Sequence, residues 1–244
     1  MKQYLTIKDM ERICQEINKK HIPDDSRFMQ AIDDQYDEYG DADLDLFVTT
    51  AFKRMLAVLD HEITIIETKV GIESSCQSGC AHCCYFPVIL TRMEAKLIAE
   101  YIEHLPKEEH AKVLEHLGNY YANADLQVVD ELDFQADPYY KEKYITKHIP
   151  CPLLDQTTNS CLAYEVRPVA CRTHFNYCHP QVCADQPIPD EVFSYEFLYE
   201  YYMYALVNTI QEAVLEEGHA SIKLPGDVYE ADYLIKLLKK GLIR

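Results

Sequence analysis

The nine residues Cys76 to Cys84 read C-Q-S-G-C-A-H-C-C and set four thiols at gaps of three, two and zero residues. Thiolates spaced this closely can converge on one soft metal ion, because loops containing Gly79 and Ala81 let the backbone wrap tightly around a single centre. A disulfide network would use the same letters. Adjacent Cys83 and Cys84 bridge each other only with difficulty, and a secreted chain would be expected to open on a signal peptide. The opening residues M-K-Q-Y-L-T-I-K-D-M-E-R instead carry charges every few positions and no apolar run. The expectation is a cytoplasmic chain in which ten cysteines stay reduced, so that a local cluster of them points to metal.

A second group runs from Cys151 to Arg172 as C-P-L-L-D-Q-T-T-N-S-C-L-A-Y-E-V-R-P-V-A-C-R, with nine residues between Cys151 and Cys161 and nine again before Cys171. A turn over Asp155 to Ser160 separates the first two, and Arg167-Pro168 interrupts the helical pattern before the third. Three soft ligands here and four upstream exceed one tetrahedral site, so either one metal takes a subset or two metals share the group. Just downstream, T-H-F-N-Y-C-H-P-Q-V-C holds His174, Cys178, His179 and Cys183, which read equally as zinc ligands or as a surface loop with incidental thiols. His82 is expected to point outward between its ligand neighbours. Cys14 lies on an apolar helical stripe and reads as a core thiol.

At these residues the chain resembles the YkgJ-like family of cysteine-cluster proteins, zinc- or iron-chelating domains of CxxCxxCC type. The resemblance runs through Cys76, Cys80, Cys83 and Cys84, then Cys151-Pro152 and Leu154, then Cys161, Tyr164, Arg167-Pro168, Cys171 and Arg172, from about residue 74 to about residue 175. It implies chelation of zinc or iron, an iron–sulfur cluster being one form the iron could take, with Cys76, Cys80, Cys83, Cys84, Cys151, Cys161 and Cys171 as metal ligands. The family's pattern includes a further cysteine, which Cys178 or Cys183 could supply. No settled reaction is implied: an iron–sulfur-dependent transferase acting on a protein, such as a lysine methylase, and a zinc-stapled protein-interaction module are the alternatives. Cys76-x3-Cys80-x2-Cys83 also has the spacing of radical enzymes with a three-cysteine cluster, but those sites follow the first strand of a parallel βα barrel, and no run of strands is legible here.

Charge narrows the partners. Against 41 acidic residues stand 23 basic ones, a formal net charge of −18, which disfavours capture of a nucleic-acid backbone or an anionic membrane. The partner that remains indicated is the metal ion, with a protein partner open. The D-A-D-L-D run of Asp41 to Asp45 begins like an EF-hand loop, but Leu46 and Phe52 occupy the positions of its glycine and its bidentate glutamate, so an acidic solvated face is the better reading. No Rossmann glycine motif, P-loop, H-E-x-x-H or nucleophile elbow is present.

The elements that must hold the cysteines are helices. Thr6 caps an expected helix over residues 6–20, and a second opens at Pro23-Asp24-Asp25 and stops at Gly40. A long amphipathic pattern covers Leu44 to Val70 and ends at Gly71, after which the first cysteine stretch follows. Thr91-Arg92-Met93-Glu94 is a capping box, and Pro106 starts a further helix to about Tyr121. Two helices between Cys84 and Cys151 would return the chain to where it left. Residues 122–149 read as an acidic connector, Asp190 to Glu217 as a central helix ending at Gly218 with most of its tyrosines in the core, and about Val228 to Lys240 as a last helix. The fold expected is mainly α: one helical bundle spanning residues 1–244, with a loop-rich cysteine-cluster metal site between helices and its core at about 74–175. Arg172, and more weakly Arg167, is expected beside the sulfurs as a countercharge.

Overall fold

The computed structural model describes residues 4–186 and 188–242. In chain order its α-helices are α1 (Ile7–Lys20), α2 (Ser26–Tyr39), α3 (Leu44–Val70), α4 (Arg92–Glu103), α5 (Lys107–Asn123), α6 (Gln127–Asp130), α7 (Tyr140–Ile145), α8 (Val169–Arg172), α9 (Val182–Asp185), α10 (Leu198–Glu217), α11 (Gly226–Tyr229) and α12 (Leu234–Leu242). Six short strands, β1 (Ile89–Thr91), β2 (Leu154–Asp155), β3 (Ser160–Cys161), β4 (His174–Asn176), β5 (Val192–Ser194) and β6 (Ala231–Tyr233), pair as β1–β6, β2–β3 and β4–β5, all antiparallel. The protein is mainly α, as the spacing of apolar residues predicts. None of the described helices is long and apolar enough to cross a membrane.

The chain gathers into two compact units. The first comprises residues up to Cys76, Val169–Val182 and Pro189–Gly226. Its centre is the mutual packing of α2, α3 and α10, with α1 laid on α3. The caps are local. Thr6 and Asp9 form a reciprocal capping box on α1, Asp43 accepts from the Asp45 N–H at 3.0 Å to open α3, and Gly71 ends α3 at φ +68°, a conformation that glycine adopts without steric cost. From α3 the side chains of Val48, Ala51, Met55, Leu59 and Ile66 are wholly or almost wholly buried, and from α10 those of Tyr202, Ala205, Leu206 and Ile210. Gln35 is buried on α2 and donates from Nε2 to Phe47 O at 3.1 Å.

Residues 190–197 depart from the expected central helix. Val192–Ser194 pairs with His174–Asn176 as β5 on β4, and α10 begins only at Leu198. A segment apolar on most sides fits a helix or a buried strand equally by periodicity, and the free edge of β4 decides for the strand. Phe193 then meets Tyr195 edge-on at 4.5 Å, and Tyr195 is fully buried. The tyrosines of this segment also divide: Tyr195 and Tyr202 are in the core, whereas Tyr199 and Tyr204 are exposed.

The second unit comprises Gln77–Pro168, Cys183–Ile188 and the described residues from Asp227 onward. Thr91 and Glu94 form the capping box of α4, with the Glu94 N–H donating to Thr91 Oγ1 at 3.1 Å, and Pro106 stands before α5. α4 packs against both α5 and α12. The expected last helix is shorter than its apolar pattern suggests. Residues 231–233 form β6 on β1, and flanking bonds from Arg92 N–H to Glu230 O and from Leu234 N–H to Val88 O, both 2.8 Å, fix that register. With those backbone groups committed to a ladder, the helix can start only at Leu234. The acidic connector is partly ordered: α6 and α7 bury Val129, Tyr144 and Ile145, and Tyr144 stacks on Tyr233 with ring centroids 5.7 Å apart.

Candidate metal centre

The first cysteine stretch lies in a loop. Gly79 has φ +85°, a left-handed value, and the chain turns there so that Cys80 N–H donates to Gln77 O at 3.0 Å. A 3₁₀ turn over His82–Tyr85 follows, presenting Cys83 and Cys84 while His82 faces solvent. The second stretch joins it through the backbone: Cys151 N–H donates to Cys84 O at 2.7 Å, so the chain does return across α4 and α5. Two side chains of α5 hold the returning segment. Tyr120 OH donates to Pro150 O at 2.6 Å, and His116 Nε2 lies 3.0 Å from Pro152 O, where an N–H is the group that can bond a carbonyl.

Cys161 is brought in by the β2–β3 hairpin, in which it faces Leu154. The turn of that hairpin is built by Asp155, whose carboxylate accepts from Thr157 N–H and Thr158 Oγ1, each at 2.8 Å, while Asn159 takes φ +53°. These bonds, the Thr158 hydroxyl first, hold the Asp155 carboxyl below its ordinary range.

The sulfurs of the second unit sense one another. The Cys84 thiol hydrogen-bonds Cys83, and together with the backbone and the charge of Arg167 it lowers Cys83 to about 7 against the opposing effect of burial. Cys151 is pushed the other way, to about 12, by burial and then by the neighbouring charges of Cys161 and Cys83. Tyrosines wall this centre: burial raises Tyr120, Tyr121 and Tyr144, with Cys151 adding to each, and Tyr101 is raised to about 12 by burial and by Glu165, which accepts its hydroxyl at 3.2 Å. Cys83, Cys84, Cys151 and Cys161, carried by a 3₁₀ turn, a backbone bond and a hairpin, are soft donors of the kind zinc and iron prefer. Among the described residues, no group of three or more His, Cys, Asp or Glu side chains is already arranged to hold an ion. No disulfide joins any of the ten cysteines.

The remaining candidates fall elsewhere. In the first unit, Cys76 is exposed and its Sγ accepts from Asn176 N–H at 3.4 Å, while Ser75 N–H donates to Asn176 O at 2.8 Å. Cys171 is half-buried on α8 in the same unit, and His174 opens β4. Cys178 is buried, and its thiol is raised by burial and by Glu191 and Asp9. His179 is exposed and meets Tyr4 edge-on at 4.9 Å. Cys14 is half-buried rather than fully enclosed, with burial raising its thiol. Cys80 and Cys183 belong to the second unit. Arg172, expected beside the sulfurs, forms an ion pair with Asp60 of α3, and the charge of Arg167 helps to lower Cys83. The tyrosine wall and His116 had no motif to mark them: Tyr120 and Tyr121 read only as the end of a helix.

Residues 75–186 match the family model CxxCxxCC, described as "Putative zinc- or iron-chelating domain". This stretch is similar to that domain family. The match extends past Cys171 to include Cys178 and Cys183 and spans somewhat under half of the chain. No curated protein and no solved structure matches the chain. The matched stretch includes Cys83, Cys84, Cys151 and Cys161 of the second unit.

Proposed function

We propose that the protein binds zinc or iron through a thiolate centre built on Cys83, Cys84, Cys151 and Cys161, with Cys80 beside them in the same unit. The observation that carries this reading is the 2.7 Å bond from Cys151 N–H to Cys84 O, which ties cysteines distant in the chain into one cluster of mutually interacting thiols. A bound divalent ion would supply a cross-link among the 3₁₀ turn, the Pro150–Pro152 segment and the hairpin, each of which has little apolar core of its own. The residues around it have assignable tasks: Tyr120 and His116 orient the loop that bears Cys151, and Asp155 shapes the turn that bears Cys161. The wider ligand proposal also includes Cys76 and Cys171, and Cys76→Ser and Cys171→Ser variants that keep full metal content would remove them from it. Ten cysteines without a disulfide suit a reducing cytoplasmic compartment, and a net charge of −18 speaks against nucleic acid as a partner.

Purification with and without oxygen, followed by elemental analysis and a visible spectrum, tests the reading. Stoichiometric zinc in a colourless protein, or iron with broad thiolate absorption, supports it. Metal content unchanged in the Cys83→Ser, Cys84→Ser, Cys151→Ser and Cys161→Ser variants overturns it.

A further inference from the structure

The segment Pro150-Cys151-Pro152 has a single backbone N–H, that of Cys151, and two ring-locked φ angles restrict the chain on either side of the thiol. Each of its backbone polar groups has a partner. The Cys151 N–H donates to Cys84 O at 2.7 Å, and Cys151 O accepts from Leu154 N–H at 3.0 Å. The two flanking carbonyls are taken by one helix: Tyr120 OH donates to Pro150 O at 2.6 Å, and His116 Nε2 lies 3.0 Å from Pro152 O. His116 and Tyr120 are one turn apart on α5, hence on one face, beside its buried Val113, Leu117 and Tyr121. Cys161 is held differently. Its ladder closes within its own hairpin, where it faces Leu154 and where Leu162 N–H donates to Leu153 O at 2.8 Å. Buried Leu153 and Leu154 root that hairpin, but each strand has two residues and the turn over 156–160 is exposed. So short a ladder is marginal by itself, and it opens at less cost than a segment bonded to several distant partners.

We infer that His116 and Tyr120 are positioning residues that make Cys151 the anchoring ligand of the metal centre, with Cys161 the ligand that detaches when the ion exchanges; the inference rests on the metal-binding reading above. The test uses the full chain loaded with zinc. A chromophoric chelator draws the ion while N-ethylmaleimide traps each thiol as it is released, and fragment mass spectrometry assigns the modified cysteines in order of time. In the parent, Cys161 should be modified before Cys151. Tyr120→Phe, which loses only the hydroxyl, and His116→Leu should each speed modification of Cys151 and weaken zinc binding by about 10- to 100-fold, the range of outer-shell substitutions at metal sites. His116→Gln should recover part of the loss, because its amide N–H can still bond the Pro152 carbonyl. Asp155→Ala, which unties the hairpin turn, should speed zinc release and modification of Cys161 while Cys151 reacts as in the parent. Cys14, in the first unit, reports general loosening and should keep its rate in every variant. Three results overturn the inference: Cys151 modified ahead of Cys161 in the parent, Tyr120→Phe and His116→Leu both keeping the parental affinity and Cys151 rate, or a Cys14 rate that rises in step with that of Cys151. If Cys83→Ser and Cys151→Ser keep full zinc affinity, it is the metal-binding reading that has failed.

Discussion

Glu62 shows how much a single side chain can carry in the first unit. It is 1% exposed on α3, its Oε1 accepts from Arg27 Nη1 at 2.8 Å, and its Oε2 is buried without a hydrogen-bond partner among the described residues. Removing one partner of a buried pair typically costs 3–5 kcal/mol, but Arg27 is half exposed and water screens the pair. Arg27→Ala should therefore lower unfolding free energy by about 2 kcal/mol in urea titrations, and adding Glu62→Gln should restore part of it. A null effect would mean that water already reaches the carboxylate. Among the cysteines the residue-scale expectation is selective. Serine at Cys83, Cys84, Cys151 or Cys161 should reduce bound metal, whereas Cys14→Ser, on a helix stripe of the first unit, should not. Equal sensitivity of Cys14 would refute its place as a packing residue.

Helix ends set the geometry at the next scale. α4 follows the first cysteine stretch by a few residues and begins at a buried capping box, so Thr91→Ala should cost about 1 kcal/mol and raise amide exchange through the first turn of α4. Unaltered exchange there would show that β1, not the cap, holds the helix start. At α1 the box is exposed and titrates. The Thr6 hydroxyl and N–H hold the Asp9 carboxyl below its ordinary value of 3.8, so the charged form is favoured by folding. Its contribution is present above pH 3.8 and is lost as pH falls through the lower folded value. Exchange at the start of α1 should accelerate on acidification below that point, and Asp9→Asn should flatten the dependence. A slope that survives in the Asn variant would assign it to another group.

Each unit has its own source of stability. The first buries long aliphatic and aromatic faces of α2, α3 and α10, whereas the cysteine-bearing loops of the second have short strands and turns for support. Structural thiolate–zinc sites contribute on the order of 10 kcal/mol, more than such loops can replace. Complete metal removal should open residues 77–91 and 146–168 to limited proteolysis, while circular dichroism retains most of its helical signal. An unchanged cleavage pattern after chelation would exclude a structural role for the ion.

The helices and their ends were determined by sequence alone because their causes are local: Thr6 with Asp9, Thr91 with Glu94, and Gly71 after Val70 each act within a turn of chain. The cysteine spacing likewise carries the expectation of soft-metal binding by itself, since ligand type is a property of the residue. What tertiary structure decided is long-range. Val192–Ser194 and Ala231–Tyr233 became strands because distant backbone edges at His174–Asn176 and Ile89–Thr91 needed partners, a demand invisible in the apolar pattern of either segment. The partners of the two arginines turned the same way. Arg172 adjoins Cys171, but neighbours on a helix do not share a face, and its guanidinium pairs with Asp60. Arg167 is six residues from Cys161, and the 3₁₀ turn and Pro168 set it over the Tyr164 ring. Proximity in sequence is not proximity in space once the backbone turns, and the folded backbone set which side chain each of these guanidiniums meets.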